Sequence, residues 1–224
     1  MSLAGKQCIV TGGFGALGGT VASALRAAGA RVTAIDRAAA PADADGIGGV
    51  DLSDATEARA AIDKAVSEMG GLFALVNIAG GFRWEKLAEG DVATWDFLYT
   101  VNLKTAVCAC KAALPHLLNA GGRIVNIGAG AAARAGAGMG AYAASKAGVA
   151  KLTEALAEEV KESGITVNAI LPSIIDTSAN RKDMPKSDFS KWVKPEEIAA
   201  LIAFLLSDEA AAITGASIPI SGRV

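Results

Sequence analysis

Residues 11–19 read TGGFGALGG, and within them Gly13, Gly15 and Gly18 spell G-x-G-x-x-G directly after a short apolar run, QCIVT. The spacing has a mechanism. One glycine makes a tight turn, one lets the backbone approach a pyrophosphate, and one lets the next helix pack closely with its N-terminus toward the phosphates. An Ala-rich helical pattern follows from about Leu17 to Ala28, and the next apolar run, RVTAID, closes at Asp36. The fingerprint expects an acidic residue about 20 positions on, where it accepts hydrogen bonds from an adenosine ribose. A carboxylate there repels a 2'-phosphate. NAD is therefore the expected cofactor, with NADH favoured over NADPH, although Arg37 next door works against that preference.

The same alternation continues outward. LFALVN, GRIVNI and ITVNAIL read as buried strands, while DATEARAAIDKAVSEMG, DVATWDFLYTVNLKTAVCACKAALPHLL and YAASKAGVAKLTEALAEEVKESG carry helical periodicity. The first two of these helices open at Asp54 and Asp91, residues suited to an N-cap. Strands alternating with helices give an α/β fold: a single doubly wound Rossmann domain over residues 1–224, with a mainly parallel central sheet and helices on both faces. No linker or internal repeat divides the chain. One polar, irregular segment, TSANRKDMPKSDFSKWVKP at residues 177–195, reads as a substrate loop, because a long loop in a compact domain is usually functional or mobile.

Composition narrows the function. Hydrophobic residues make up 52% and charged residues 20%, so a core is available and disorder is not indicated. A net charge of -2 gives no field that would gather nucleic acid or anionic lipid. Cys8, Cys108, Cys110 and the lone His116 form no disulfide framework and no metal-ligand spacing, so no metal is expected and the thiols read as buried. The N-terminus has no long apolar secretory core, and the Gly- and Ala-built run 124–145 would make a poor membrane span. A cytoplasmic protein acting on a small molecule is expected.

At NIGAGAAARAGAGMGAYAASK, residues 126–146, side chains are nearly all methyls or hydrogens until Tyr142 and Lys146, which positions i and i+4 place on one helix face. With these residues the chain resembles the short-chain dehydrogenases and reductases along almost its whole length. The loop Thr11, Gly12, Gly13, Phe14, Gly15, Leu17, Gly18 resembles that family's phosphate-binding loop, Asp51 and Leu52 its adenine-contacting pair, and Asn77, Ala79 and Gly80 its Asn-Asn-Ala-Gly motif. Val101-Asn102 resembles its helix asparagine, YAASK its Tyr-x-x-x-Lys, and the segment carrying Pro172, Ile175 and Thr177 the stretch beside the nicotinamide. PEEIA and ITGASIPISG resemble its C-terminal signature. The resemblance implies that Tyr142 exchanges the substrate proton, that Lys146 holds the nicotinamide ribose and lowers the Tyr142 pKa, and that Asn102 keeps a water relay to Lys146 in place. It also implies a homodimer or homotetramer through the helices at about 91–118 and 142–163.

The chain departs from the family pattern at Ala16, Ile78 and Ser173, and most consequentially at Ala129, which stands where the family has its catalytic serine. Losing a positioned donor to a developing oxyanion costs ~10²- to 10³-fold in rate. A strongly electrophilic acceptor needs that donor less. The dihydropteridine reductase branch resembles this chain in the GGFGALG loop, in the alanine at the serine position, and around Asp176, Asn180-Arg181-Lys182, Met184-Pro185 and Trp192. That resemblance implies a quinonoid dihydropterin or similar acceptor, with Ala129, Phe82, Trp84 and Trp192 as candidate substrate contacts. Phe82 stands where that branch tends to have tryptophan. Two alternatives remain open: a ketone or ketoacyl reductase working without its serine, and a non-catalytic NAD-binding sensor or scaffold.

Overall fold

In the computed structural model, which describes residues 2–42 and 44–224, seven runs form one sheet in the order β3-β2-β1-β4-β5-β6-β7. They are β1 (Gln7–Thr11), β2 (Arg31–Ile35), β3 (Gly46–Ile47), β4 (Ala74–Asn77), β5 (Gly122–Ile127), β6 (Ile165–Pro172) and β7 (Ser217–Ile220). Every pairing is parallel. Parallel neighbours need crossovers, and helices supply them: α1 (Ala16–Ala27), α2 (Ala55–Met69), α3 (Val92–Leu98), α4 (Thr105–Leu117), α5 (Gly140–Val160), α6 (Ser178–Asp183) and α7 (Pro195–Leu206).

Strand periodicity divides the core. Ile9, Leu75, Ile124 and Val167 point toward the layer of α2, α4 and α5. Their neighbours Val10, Val76 and Val125, with Ile170, point toward α1 and α7. Both faces are thus covered, which is why the strands are apolar runs and not alternating ones. Asp54 accepts from the amides of Thr56 and Glu57, and Asp91 from that of Ala93, so both N-caps are where the sequence puts them.

Three features differ from the sequence reading. The helix expected across 91–118 is α3 and α4 joined by a π-helical turn, Tyr99–Lys104, and it runs on through Pro115. The segment 177–195 is not wholly irregular: Thr177 caps α6 by accepting from the Asn180 amide, and a 3₁₀ turn spans Phe189–Lys191. An isolated parallel bridge pairs Ile175 with Val193 at the base of this excursion. Strand order reverses at β1, with β2 and β3 on one side and β4 to β7 on the other. The crevice at such a switch point is where open α/β sheets bind ligands.

Candidate active site

The carboxyl ends of β1 and β4 open into a cleft of about 690 Å³. Gly12, Gly15, Leu17 and Gly18 line it on one side, Asp36, Asp51 and Leu52 at one end, and Ala79 and Gly80 opposite. At Gly12 and Gly18 the loop admits only bare backbone. A Cβ on Gly12, whose φ is +67°, would lie 2.8 Å from the Ala79 nitrogen, and one on Gly18 would overlap the Gly12 carbonyl oxygen. Gly15 caps α1 without a side-chain bond, leaving the first amides of the helix for a ligand. A cradle of backbone N–H groups at a helix N-terminus fits a pyrophosphate, and the cleft has the size of a dinucleotide site.

At the far end, Asp36 joins loop to sheet. Its Oδ2 accepts the Phe14 amide at 2.9 Å and its Oδ1 the Ala38 amide at 3.0 Å. Arg37 lines the cleft beside it. Hydrogen bonds from the Ser53 hydroxyl and amide hold the Asp51 carboxyl below the usual carboxylate range, with Arg37 and Lys104 adding to the effect.

A polar ladder runs beneath the cleft. Register puts Thr11 beside Asn77 and Asn77 beside Asn126, so their side chains share a face. The Thr11 hydroxyl accepts the amides of Ile78 and Ala79 and donates to Asn77 Oδ1 at 3.4 Å. Asn77 Nδ2 donates to Asn126 Oδ1 at 2.9 Å and to Cys110 Sγ at 3.3 Å. Asn126 Nδ2 donates in turn to Thr153 Oγ1, whose hydroxyl donates to the Val149 carbonyl, both at 2.9 Å. The ladder ties three strand ends to α5, the helix that carries Tyr142 and Lys146.

Lys146 is buried, and its Nζ donates to the Ile127 carbonyl at 2.8 Å. A Cβ on Gly80 would sit 3.4 Å from that nitrogen, so the ammonium stands at the cleft wall. Asn102, in the π-helical turn, clasps the backbone of Gly81: Oδ1 accepts its amide at 2.9 Å and Nδ2 donates to its carbonyl at 3.0 Å. The second Nδ2 proton goes to Ser145 Oγ at 3.0 Å, and Ser145 donates to the Tyr142 carbonyl at 2.7 Å. With both amide protons engaged, the Asn102 side chain locks the Gly81 loop to α5. Burial pushes the Tyr142 phenol up to about 12 and the Lys146 ammonium down to about 8. The resemblance implied a phenol lowered by Lys146; here the cause of the shift is burial of the ring, and its direction is upward.

Phe82 meets Tyr142 edge to face, with ring centroids 4.9 Å apart. Trp84 lies over Gly138, and its Nε1 donates to the Ala137 carbonyl at 2.9 Å. Ala129 is buried in extended backbone just past β5. Trp192 is only 5% exposed and packs on Phe189, which places it inside the folded 177–195 segment and outside the residues lining the cleft. Pro172 ends β6, Ile175 accepts from Asn180 Nδ2 at 2.8 Å, and Thr177 caps α6. Sequence reasoning missed Ser145, Asn126 and Thr153. Asn126 and Thr153 carry no local signal, since each is an ordinary polar residue until register brings them together. It also missed Phe97 and Thr100 on the cleft wall, and named Val101 only as the neighbour of Asn102.

Among the described residues no group of His, Cys, Asp and Glu side chains is placed to hold a metal, and no helix is long and apolar enough to cross a membrane. The chain is 36% identical to a D-threitol dehydrogenase of Mycolicibacterium smegmatis, over 98% of this chain and 93% of the relative. It is 34% identical to a 3-oxoacyl-acyl-carrier-protein reductase of Pseudomonas aeruginosa, over 99% and 98%. A short chain dehydrogenase from Burkholderia cenocepacia, solved in complex with NADP, superposes with a TM-score of 0.87 at 32% identity, over 99% and 98% of the two chains. Residues 6–188 match the short chain dehydrogenase family. A glycine cradle at the switch point, a tyrosine and lysine one helical turn apart beside it, and these likenesses along the chain together make this protein a member of the short-chain dehydrogenases, the NAD(P)-dependent oxidoreductases of that fold.

Proposed function

We propose that the protein is an NADH-dependent reductase of a planar, conjugated electrophile such as a quinonoid dihydropterin. The observation that carries this reading is Ala129: a buried methyl in extended backbone just past β5 occupies the position where the family pattern has its serine, while the Phe82 and Tyr142 rings meet edge to face. An acceptor that regains conjugation when hydride arrives develops less charge on oxygen and needs that donor least. The Asp36 carboxylate supports NADH, since it would accept from free ribose hydroxyls and repel a 2'-phosphate.

The residues divide the work. The Gly12 to Gly18 backbone and the α1 N-terminus would hold the pyrophosphate, Asp36 the adenosine ribose, Asp51 and Leu52 the adenine. Asn77, Ala79, Gly80, Pro172, Ile175 and Thr177 would flank the nicotinamide half, with Tyr142 and Lys146 on its ribose. Bound NADH supplies a hydride. Tyr142, kept protonated by burial, delivers its phenolic proton to the reduced acceptor, so that hydride and proton together complete a two-electron reduction. Lys146, one helical turn along α5, would offset the charge of the phenolate that results, and Asn102 fixes the Gly81 loop through its carboxamide.

The experiment is an NADH-oxidation screen with quinonoid dihydropterin, a quinone, a simple ketone and a 3-oxoacyl thioester. The conjugated acceptors should show the highest kcat/KM; a ketone or thioester ahead of them overturns the reading. A second reading, alcohol–carbonyl exchange on a polyol or an oxoacyl thioester, is favoured by the activities that the threitol and oxoacyl relatives are named for. The same proposal has the enzyme in the cytoplasm as a homodimer or homotetramer, supported by its buried thiols and by exposed Val107 on α4 and Leu118 at its C-cap.

A further inference from the structure

Residues 82–86 form neither helix nor strand, yet they are held at two points against the stretch just before α5. Trp84 Nε1 donates to the Ala137 carbonyl and the Glu85 amide donates to the Gly138 carbonyl, each at 2.9 Å. The seat under the indole exists only because residue 138 is glycine. Its φ is +75°, and a Cβ there would overlap the indole, lying 2.5 Å from Nε1. Two residues before Trp84, Phe82 turns to the same side and sets its ring against Tyr142. Phe82 and Trp84 are both 55% exposed, so burial of their own surface does not fix them; the clamp does, with Arg83 between them stacked 3.8 Å from the Phe97 ring centroid.

We propose that Trp84 is a positioning residue: seated on Gly138, it holds Phe82 against the Tyr142 ring and so sets the wall on which the acceptor lies. This rests on the reading that the acceptor reacts at Tyr142. Trp84 itself touches neither the proton donor nor the cofactor cleft. Its effect passes through the short span to Phe82. Freed of the clamp, that span swings outward, water reaches the Tyr142 ring, and the acceptor loses an aromatic edge.

The chain has two tyrosines, so in a Tyr99→Phe background an ultraviolet absorbance titration reads Tyr142 alone. Trp84→Ala and Gly138→Ala, made separately in that background, release the clamp from its two sides. Each should bring the Tyr142 ionisation down from about 12 toward its ordinary value of 10.0, because burial is what raised it. Each should also raise the acceptor KM about tenfold with kcat changed by less than about threefold, as expected when an aromatic contact that binds substrate and transition state alike is lost. NADH affinity should stay unchanged, and Trp84→Phe, which keeps a ring and loses the Nε1 bond, should fall between. A lowered melting temperature with the Tyr142 ionisation unmoved overturns the proposal, as does a fall in kcat at constant KM. The titration needs no substrate: should no acceptor be reduced, the functional reading fails while the clamp is still decided.

Discussion

Replacing Thr153 by valine isolates the polar ladder from every other feature of the core. The side chain is fully buried, and its oxygen takes a proton from Asn126 Nδ2 while giving its own to the Val149 carbonyl. Valine fills nearly the same volume, so little cavity cost arises, and what remains is one Asn126 N–H left without an acceptor. Asn126 is itself 0% exposed and its Oδ1 is committed to Asn77, so it cannot turn to water. A buried donor without a partner costs about 1–3 kcal/mol. In a chain of this size each kcal/mol moves the melting temperature by roughly 2–4 °C, so a central value of about 2 kcal/mol gives a drop of about 4–8 °C. Thr153→Ser keeps the hydroxyl and loses a methyl, at a cost of about 1 kcal/mol. Scanning calorimetry of the three proteins checks this. A valine variant within about 1 °C of the parent, or a serine variant at least as damaged as the valine one, refutes the idea that the Asn126 bond and not the packing is what Thr153 supplies.

Titrating NADH and NADPH should give tighter binding of NADH, and Asp36→Ala should narrow the gap by about tenfold or more, because the repelled phosphate then meets Arg37 without the carboxylate; equal affinities in the parent protein would contradict the role of Asp36. Stability should depend on pH in two windows. Lys146, lowered from 10.5 to about 8 in the fold, makes the ammonium unfavourable there, so stability rises from pH 8 to about pH 9, where the buried Cys8 and Cys110 thiols, raised from 9.0 to about 12, begin to pull it down. Tyr142, raised from 10.0 to about 12, binds its proton more tightly folded than unfolded, so stability falls between pH 10 and 12. Urea midpoints across that range check both limbs, and Lys146→Met should abolish the rising one. Tyr142→Phe should remove at least about 10²-fold of turnover, the usual scale of a lost proton donor, while NADH affinity holds; near-native rates would exclude it as the acid. Ala129→Ser should leave the rate with a conjugated acceptor flat or lower and raise slow ketone reduction; a serine variant whose best substrate is a ketone would mark the natural alanine as a lost activity.

What was legible in the sequence was whatever local chemistry writes locally. The Asp54 and Asp91 caps depend on neighbours within a turn, while the glycine loop and Asp36, which meet across 22 positions, are legible through a fixed spacing along the chain. Strand β3, of two residues, is too short for any periodicity, and β7 hides behind Pro219, which an edge strand tolerates. The π-helical turn at Tyr99–Lys104 leaves no trace, since one widened turn merely shifts the apolar phase. Helix α6 is polar on most sides and short, so the sequence reading left it inside an irregular segment. The ladder from Thr11 to Thr153 was invisible because its members are joined by register across strands and not by spacing along the chain. The upward shift of Tyr142 was missed for a related reason: spacing shows which cation is near but not how dry the ring is.

The bridge between Ile175 and Val193 closes residues 176–192 at their own base, and past Thr177 that stretch holds none of the residues that would flank a nicotinamide. An excursion stitched shut in this way is a cassette. Lengthening such a loop is cheap, about 0.6 kcal/mol for each doubling, and a change in its interior leaves the register of β6 with β5 and β7 untouched. Variation inside the cassette can therefore re-aim the chain's choice of acceptor while the hydride-handling groups stay fixed on the sheet and α5. For an engineer this makes residues 178–192 the stretch to graft, with Thr177 kept and the Ile175 and Val193 pair as the seam.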